Sequence, residues 1–162
     1  MSNLVADPQD WRYIIRVYAI IINDRDEVLL SDEFYNNTFM TKFPGGGLEF
    51  GEGTVECLKR EAIEEFGQDI EIIHHFYTTD FFQASLFHDK SQLISIYYCA
   101  RFIEPIKFPI ATEPFNFTTN ENGSISFRWK RVADLMENDV SFPIDKYVVN
   151  LIKCHLKENK RK

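Results

Sequence analysis

Three glutamates crowd one short stretch, "REAIEEFG" at residues 60–67: Glu61, Glu64 and Glu65, with Arg60 beside them. At about 100° per residue on a helix, Glu61 and Glu65 stand roughly 40° apart and Glu64 about 60° from Glu61. Like charges at these spacings repel. A helix built for stability alone would set a lysine four residues after a glutamate. Arg60 lies one turn before Glu64, where it can pair with that carboxylate and orient it. The other basic neighbour is Lys59, and both are expected to point away from the Glu61/Glu65 pair. Hard divalent cations such as Mg²⁺ are held by a few carboxylates together with substrate phosphate oxygens, and the acidic patch suits that chemistry. The competing reading is a solvated acidic face on a structural helix.

The elements that must position these groups can be read on either side. Val55, Leu58, Ala62 and Phe66 recur at helical spacing, Thr54 is placed as the N-cap, Glu56 lies in the first turn, and Gly67 is placed to end the helix. Upstream, "MTKFPGGGLEFGEG" (40–53) carries five glycines and a proline and reads as irregular for most of its length. Its Gly45, Gly46 and Gly47 allow the backbone to approach a metal or a pyrophosphate closely. Residues 12–23 and 28–32 read as the two strands of a hairpin joined by the turn at 23–27, with a polar and aromatic loop at 33–39. Strands are expected over 69–82, 92–103 and 124–132, a short helix over 133–138 and an amphipathic helix over 144–159. The long connection 104–123, with three prolines, has a length usually associated with function or mobility. Strands before and after a central helix, closed by a second helix, predict an α/β fold: a mixed sheet covered by helices on its faces.

Composition narrows the function classes. The 162 residues suit one domain spanning 1–162, and 44% hydrophobic with 27% charged residues is ordinary for a soluble globular chain. A net charge of −7 without a basic stripe argues against general nucleic-acid binding, and a phosphate substrate would need local cations or a metal. Cys57, Cys99 and Cys154 show neither metal-ligand spacing nor a disulfide framework and read as small buried apolar residues in a reducing compartment. The opening "MSNLVADPQDW" lacks an apolar leader core, and the apolar run near residues 13–23 is broken by Arg16. A cytoplasmic protein without a membrane segment is expected.

The spacing of these residues also resembles the Nudix box. Gly46 is followed by five residues and Glu52, then by seven residues and Arg60-Glu61, then by Ala62, Ile63, Glu64, Glu65, Phe66 and Gly67. Gln68 departs from the pattern, which prefers an aliphatic residue there to pack the turn after the helix, a place Ile70 is suited to take over. Eight matched positions between Gly46 and Gly67 make this far more specific than a lone glycine motif. The motif covers residues 45–68, and the order of elements extends the resemblance along the chain. It implies a Nudix-like α/β/α sandwich around a mixed β-sheet. It also implies Mg²⁺- or Mn²⁺-dependent hydrolysis of a pyrophosphate linkage in a nucleoside diphosphate joined to another group. By motif position, Glu61, Glu64 and Glu65 would be the metal-ligating set, Glu61 and Glu65 foremost, and the Gly45 carbonyl would add a ligand. Arg60 would orient Glu64 and Glu52, with Glu52 a supporting residue or outer ligand. The general base lies within the box in some members and on a later loop in others. In the later position Glu121 is the stronger candidate and Glu113 the weaker. Family members often form homodimers, which leaves a homodimer open for this chain.

Substrate markers are few. The region after the box, "DFFQASLF", lacks the proline of ADP-ribose-cleaving relatives and the tyrosine of dinucleoside-polyphosphate hydrolases, and no coenzyme A signature precedes the box. A nucleoside triphosphate or a nucleotide sugar is left as the expected substrate. The alternative is a non-catalytic Nudix-like module that senses a nucleotide, against which the retention of every box carboxylate argues. Phe34, Tyr35, Phe39, Phe81, Phe82 and Phe87 are candidates to stack on a nucleobase, each weighed against simple packing. Arg16, Arg101 and Arg128 are charges within strands that could reach a phosphate or lie on an exposed face. His74 and His75 are adjacent in a strand, point to opposite faces and cannot share a metal. The basic "KENKRK" end is expected to be a solvated terminus.

Overall fold

The computed structural model describes residues 11–159, with side chains to residue 156. The expectations for the N-terminal stretch before Trp11 and for the basic tail therefore lie outside the described residues.

Seven strands and two helices follow one another as β1 (Arg12–Ile21), β2 (Glu27–Tyr35), β3 (Thr38–Lys42), β4 (Gly45–Gly47), α1 (Thr54–Phe66), β5 (Ile70–Thr78), β6 (Ser91–Phe102), β7 (Ser124–Arg131) and α2 (Pro143–Asn159). They form two sheets. One is mixed, in the order β4-β1-β6-β5, with β1 parallel to β6 and the outer pairs antiparallel. The other is antiparallel, in the order β3-β2-β7.

Strand alternation decides which helix each side chain meets. Val17, Ala19 and Ile21 of β1 and Leu29 of β2 pack with Cys57, Leu58, Ala62 and Phe66 of α1. Tyr18 and Ile20 of β1 and Val28 and Leu30 of β2 pack instead with Ile144, Val148, Val149 and Ile152 of α2. The sheets thus form a middle layer between two helices, the α/β/α sandwich expected. Each fully buried aliphatic side chain in these layers contributes about 1.5–3 kcal/mol.

Several local expectations are corrected. The turn at 23–27 closes as expected, with Asn23 N–H donating to the Glu27 carbonyl at 2.9 Å, but β1 and β2 belong to different sheets and their backbone pairing stops at the Ile22–Val28 bridge. The hairpin is β2–β3, closed by Asn36 and Asn37, both with positive φ, so residues 33–39 are strand and tight turn rather than loop. Most of residues 40–53 lies outside strands as expected, but residues 40–42 end β3 and Gly45–Gly47 pair with Tyr18, Val17 and Arg16 as β4. Gly53, not Thr54, caps α1: its N–H donates to Glu56 Oε2 at 2.7 Å, and the Thr54 hydroxyl instead meets the Tyr98 hydroxyl at 2.7 Å. Val55 is 41% exposed and Cys57 takes its place in the core, because α1 is rotated toward β4, with the Cys57 thiol 3.4 Å from the Gly47 carbonyl. Cys154, expected to be buried, is exposed. Residues 133–138 form two short 3₁₀ turns instead of one helix.

The end of α1 bears out its sequence signal. Gly67 adopts a left-handed φ of 66° and its N–H caps the Ile63 carbonyl. Gln68 is buried, donating to the Pro105 carbonyl at 3.0 Å and accepting from Lys107 N–H at 2.6 Å, while Ile70 fills the core. The departure from the box therefore anchors the connection 104–123. Phe108 stacks on Phe66 and Ala111 N–H donates to the Phe127 carbonyl at 2.7 Å, so this connection is packed down near both its start and its middle.

Candidate active site

The box carboxylates are held by two cations, and sequence reasoning found one of them. Arg60 donates to Glu52 through Nε at 3.0 Å and Nη2 at 2.6 Å, and to the Gly47 carbonyl at 3.0 Å. Its Nη1 reaches Glu61 at 2.9 Å and Glu64 at 3.2 Å. Arg60 was expected to point away from Glu61; its flexible aliphatic stem instead brings the planar guanidinium to Glu52, Glu61 and Glu64 at once. Hydrogen bonding to Arg60 holds the Glu52 carboxyl at about 2, below its usual range.

The second cation is Lys42, at the end of β3. Its side chain is 3% exposed, and Nζ lies 2.7 Å from the Gly45 carbonyl, 2.8 Å from Glu33 Oε1 and 3.5 Å from Glu65 Oε1. Nζ also lies 5.6 Å from the Tyr18 ring centroid. Burial opposes the Lys42 charge, but Glu65 and Glu33 outweigh it and raise the amine above its ordinary value. Glu65 is pushed up to about 7, chiefly by burial, with Glu33 and Glu61 adding repulsion and Lys42 and the Gly45 N–H (3.1 Å) opposing.

Two of the three glycines are required by packing. A Cβ on Gly46 would sit 2.1 Å from Glu61 Oε1, and one on Gly45 would sit 2.1 Å from the Val17 carbonyl. At Gly47 a Cβ would meet nothing within 4 Å. Gly45 and Gly46 therefore let β4 lie against both β1 and the Glu61 carboxylate.

Lys42 and Glu33 also line a cleft of about 310 Å³. One face of β1 (Ile14, Arg16, Tyr18) and one face of β6 (Leu93, Ser95, Tyr97) form its floor. Tyr35, the 83–88 loop and the start of α2 complete the wall. Asp145 at that start is buried: Tyr97 donates to its Oδ1 at 2.6 Å, while Oδ2 has no hydrogen-bond partner. Burial pushes the Asp145 carboxyl up to about 7, against the Tyr97 hydrogen bond and the charges of Lys42 and Arg16.

The remaining candidates separate cleanly. Tyr35, Phe87 and Arg16 line the cleft, Arg16 donating to the Tyr18 hydroxyl at 2.5 Å. Phe34 and Phe39 pack on each other, Phe39 also on Phe115 and Phe117; Phe81 meets Tyr147 and Phe82 meets Trp11. Arg128 is buried and bridges Asp32, and Arg101 pairs with Glu71 on the surface. His74 and His75 are exposed, bonding the His75 carbonyl and Thr78. Glu113 is exposed, as is Glu121, whose backbone closes a turn with Ser124; none of its described contacts reaches the helix carboxylates. Lys42, Glu33 and Asp145 were missed. Glu33 and Tyr35 alternate along β2, but the polar and aromatic composition of residues 33–39 resembles a loop and hides that alternation.

The NUDIX domain model matches residues 12–151. The chain belongs to the Nudix hydrolase family. Among its relatives is an RNA pyrophosphohydrolase of Roseobacter denitrificans, 29% identical over 149 residues, covering 86% of this chain and 91% of that protein. A Nudix hydrolase from Nitrosomonas europaea shares the fold at TM-score 0.65 and 16% identity, with 90% of each chain covered. A MutT protein from Methanosarcina mazei Go1 does so at TM-score 0.64 and 22% identity, over 93% of this chain and 98% of that one. No described helix of this Nudix protein is long and apolar enough to cross a membrane.

Among the described residues, no group of three or more His, Cys, Asp or Glu side chains converges to enclose a metal. Mg²⁺ keeps several waters and takes one or two carboxylates plus substrate phosphates, so an open donor set suits it better than a closed cage. Glu61 and Glu64 supply such a set, since Arg60 bonds one oxygen of each. The donor chemistry of this Nudix site therefore fits a hard divalent cation.

Proposed function

We propose that this Nudix hydrolase is a Mg²⁺- or Mn²⁺-dependent pyrophosphohydrolase of a nucleoside triphosphate or a nucleotide sugar. One observation carries the reading: Lys42 lines a cleft large enough for a nucleoside and pairs, at 3.5 Å, with Glu65 of the box, so the cleft adjoins the acidic helix. Glu61, Glu64 and Glu65 would hold the metal, which supplies charge neutralisation on the phosphate oxygens and a more acidic water. Arg60 fixes Glu52, Glu61 and Glu64 so that little reorganisation is needed when substrate arrives. Lys42 and Arg16 offset phosphate charge at the cleft floor in a protein of net charge −7. Glu65, at about 7, is the box carboxylate best matched to take a proton from water near neutral pH. Tyr35 and Phe87 offer aromatic faces to the nucleoside, and the unbonded oxygen of Asp145 offers it a polar anchor.

The test is release of phosphate or pyrophosphate from nucleoside triphosphates, nucleotide sugars, ADP-ribose and dinucleoside polyphosphates, with Mg²⁺, Mn²⁺ or EDTA. An RNA bearing a 5′-triphosphate belongs in the same panel because the Roseobacter relative carries that activity in its name. Metal-dependent turnover of a small nucleotide is the expected result, and preference for the RNA would move the substrate to that class. A nucleotide that raises the melting temperature without turnover would replace the enzyme by a sensing module.

A further inference from the structure

Asp145, at the start of α2, carries an oxygen that no donor serves among the described residues. The residue is 1% exposed and lines the cleft; Tyr97 donates to its Oδ1 at 2.6 Å, while Oδ2 has no hydrogen-bond partner. The hydroxyl that holds Oδ1 is itself fixed, because the buried Tyr97 ring stacks on Tyr18 at 5.2 Å and meets Phe43 edge-on at 5.9 Å. An unserved buried acceptor is destabilising, and a ligand that brings a donor to it recovers that loss. Arg16 and Lys42 line the same cleft, so a cationic ligand group would meet like charge there. A neutral N–H donor fits instead.

The nucleobases differ in what they would present to this carboxylate. Guanine carries two adjacent donors on one edge, N1–H and the 2-amino group. A carboxylate has about four lone-pair sites, so Oδ2 can take one donor while Oδ1, beside its Tyr97 bond, retains capacity for the other. Adenine and cytosine set a ring nitrogen lone pair beside their amino group, and uracil flanks its N–H with two carbonyls; each turns a lone pair on the carboxylate. Two N–H donors also favour the ionised form, against the burial that raises the empty carboxyl to about 7. We propose that Asp145 selects the base bound in this cleft and takes a guanine nucleotide through N1–H and the 2-amino group, with Tyr97 as the residue that positions it. This rests on the pyrophosphohydrolase reading above and narrows its substrate to a guanine-bearing nucleotide.

The test is kcat/KM with Mg²⁺ for GTP, ATP and N1-methyl-GTP at about pH 8, where the carboxyl is ionised. It is joined by calorimetric affinities for the α,β-methylene analogues of GTP and ATP. Wild type is expected to favour GTP over both other nucleotides by about tenfold or more, as loss of a hydrogen bond to a charged group would give. In Asp145→Asn the amide oxygen keeps Tyr97 and the N–H₂ group faces the guanine donors, so the GTP to ATP ratio should fall to about one or below. Tyr97→Phe should lower the same ratio, whereas a merely structural role lowers both nucleotides alike and overturns its positioning part. A wild-type ratio near one, or an unchanged ratio in Asp145→Asn, overturns the proposal and leaves the metal-dependent reading intact. If no triphosphate is turned over, that reading fails for this class and the analogues decide the base: tighter binding of the guanine analogue supports the proposal, and equal or absent binding overturns it. Should Asp145→Asn not fold, the wild-type comparison of GTP with N1-methyl-GTP decides alone.

Discussion

A buried carboxylate, Asp32, and a half-buried one, Glu65, each face a cation in this protein, and they are served very differently. Asp32 receives Arg128 on both oxygens (2.7 and 3.3 Å), the Thr41 hydroxyl at 2.6 Å and Phe115 N–H at 3.3 Å. Glu65 receives one backbone N–H at 3.1 Å and shares Lys42, at 3.5 Å, with Glu33. The first set is saturated and ties β2, β3, β7 and the 104–123 connection together. The second is under-supplied, and its carboxyl is accordingly raised to about 7. A saturated buried ion pair specifies packing, whereas an under-supplied carboxylate beside a cleft retains capacity for a ligand.

The contrast makes opposite predictions for the two pairs. Glu65→Gln should lower metal-dependent turnover by roughly 10²–10⁴-fold while leaving the melting temperature nearly unchanged, because the amide keeps an acceptor for Gly45 N–H. Arg128→Met should do the reverse. Stranding Asp32 without its cation costs about 3–5 kcal/mol in urea unfolding, with turnover per folded molecule preserved. A variant pair that lost both properties together would erase the distinction.

Glycine substitutions sharpen the same boundary on the site side. Gly46→Ala drives a methyl into Glu61 and, if Glu61 holds the metal as proposed, should reduce turnover by at least about tenfold. Gly47→Ala meets open space and should alter turnover less than about twofold, with stability unchanged or slightly raised. Steady-state rates of the two variants under one metal concentration check this.

The last contrast concerns pH. Asp145 and Glu65 both have folded values of about 7 against ordinary values of 3.8 and 4.5. A raised folded value favours the protonated native state, so their stabilisation is present below the ordinary value and is lost as pH rises through about 7. Asp145→Asn removes one of the two groups while keeping an acceptor for Tyr97. Its stability relative to wild type should therefore rise between about pH 4 and 7 and level off above, measured by urea unfolding in chelator. A flat difference across that window would mean that Asp145 is not raised.

The acidic helix was legible because its signal is local. Glu61, Glu64, Glu65, Arg60 and Glu52 fall within one helix and the loop before it, where spacing alone sets geometry, and Gly67 and Gln68 fix the helix end. The cleft was not legible, since Arg16, Glu33, Lys42, Phe87 and Asp145 come from β1, β2, β3, a loop and α2, and meet only through strand pairing. The hairpin was misplaced for a related reason: Asn36–Asn37 is a two-residue turn, and its neighbours read as loop from composition.

By itself, then, the sequence determined the acidic helix and its Gly67 end, the mixed α/β class and the Nudix box, all set by periodicity and short-range spacing. Tertiary structure decided that Arg60 gathers three glutamates, that Arg128 belongs to the core, and that Lys42 stands against Glu65 and Gly45. These last facts depend on which strands pair and which side chains lose water together, and neither burial nor long-range register is written in the order of residues alone.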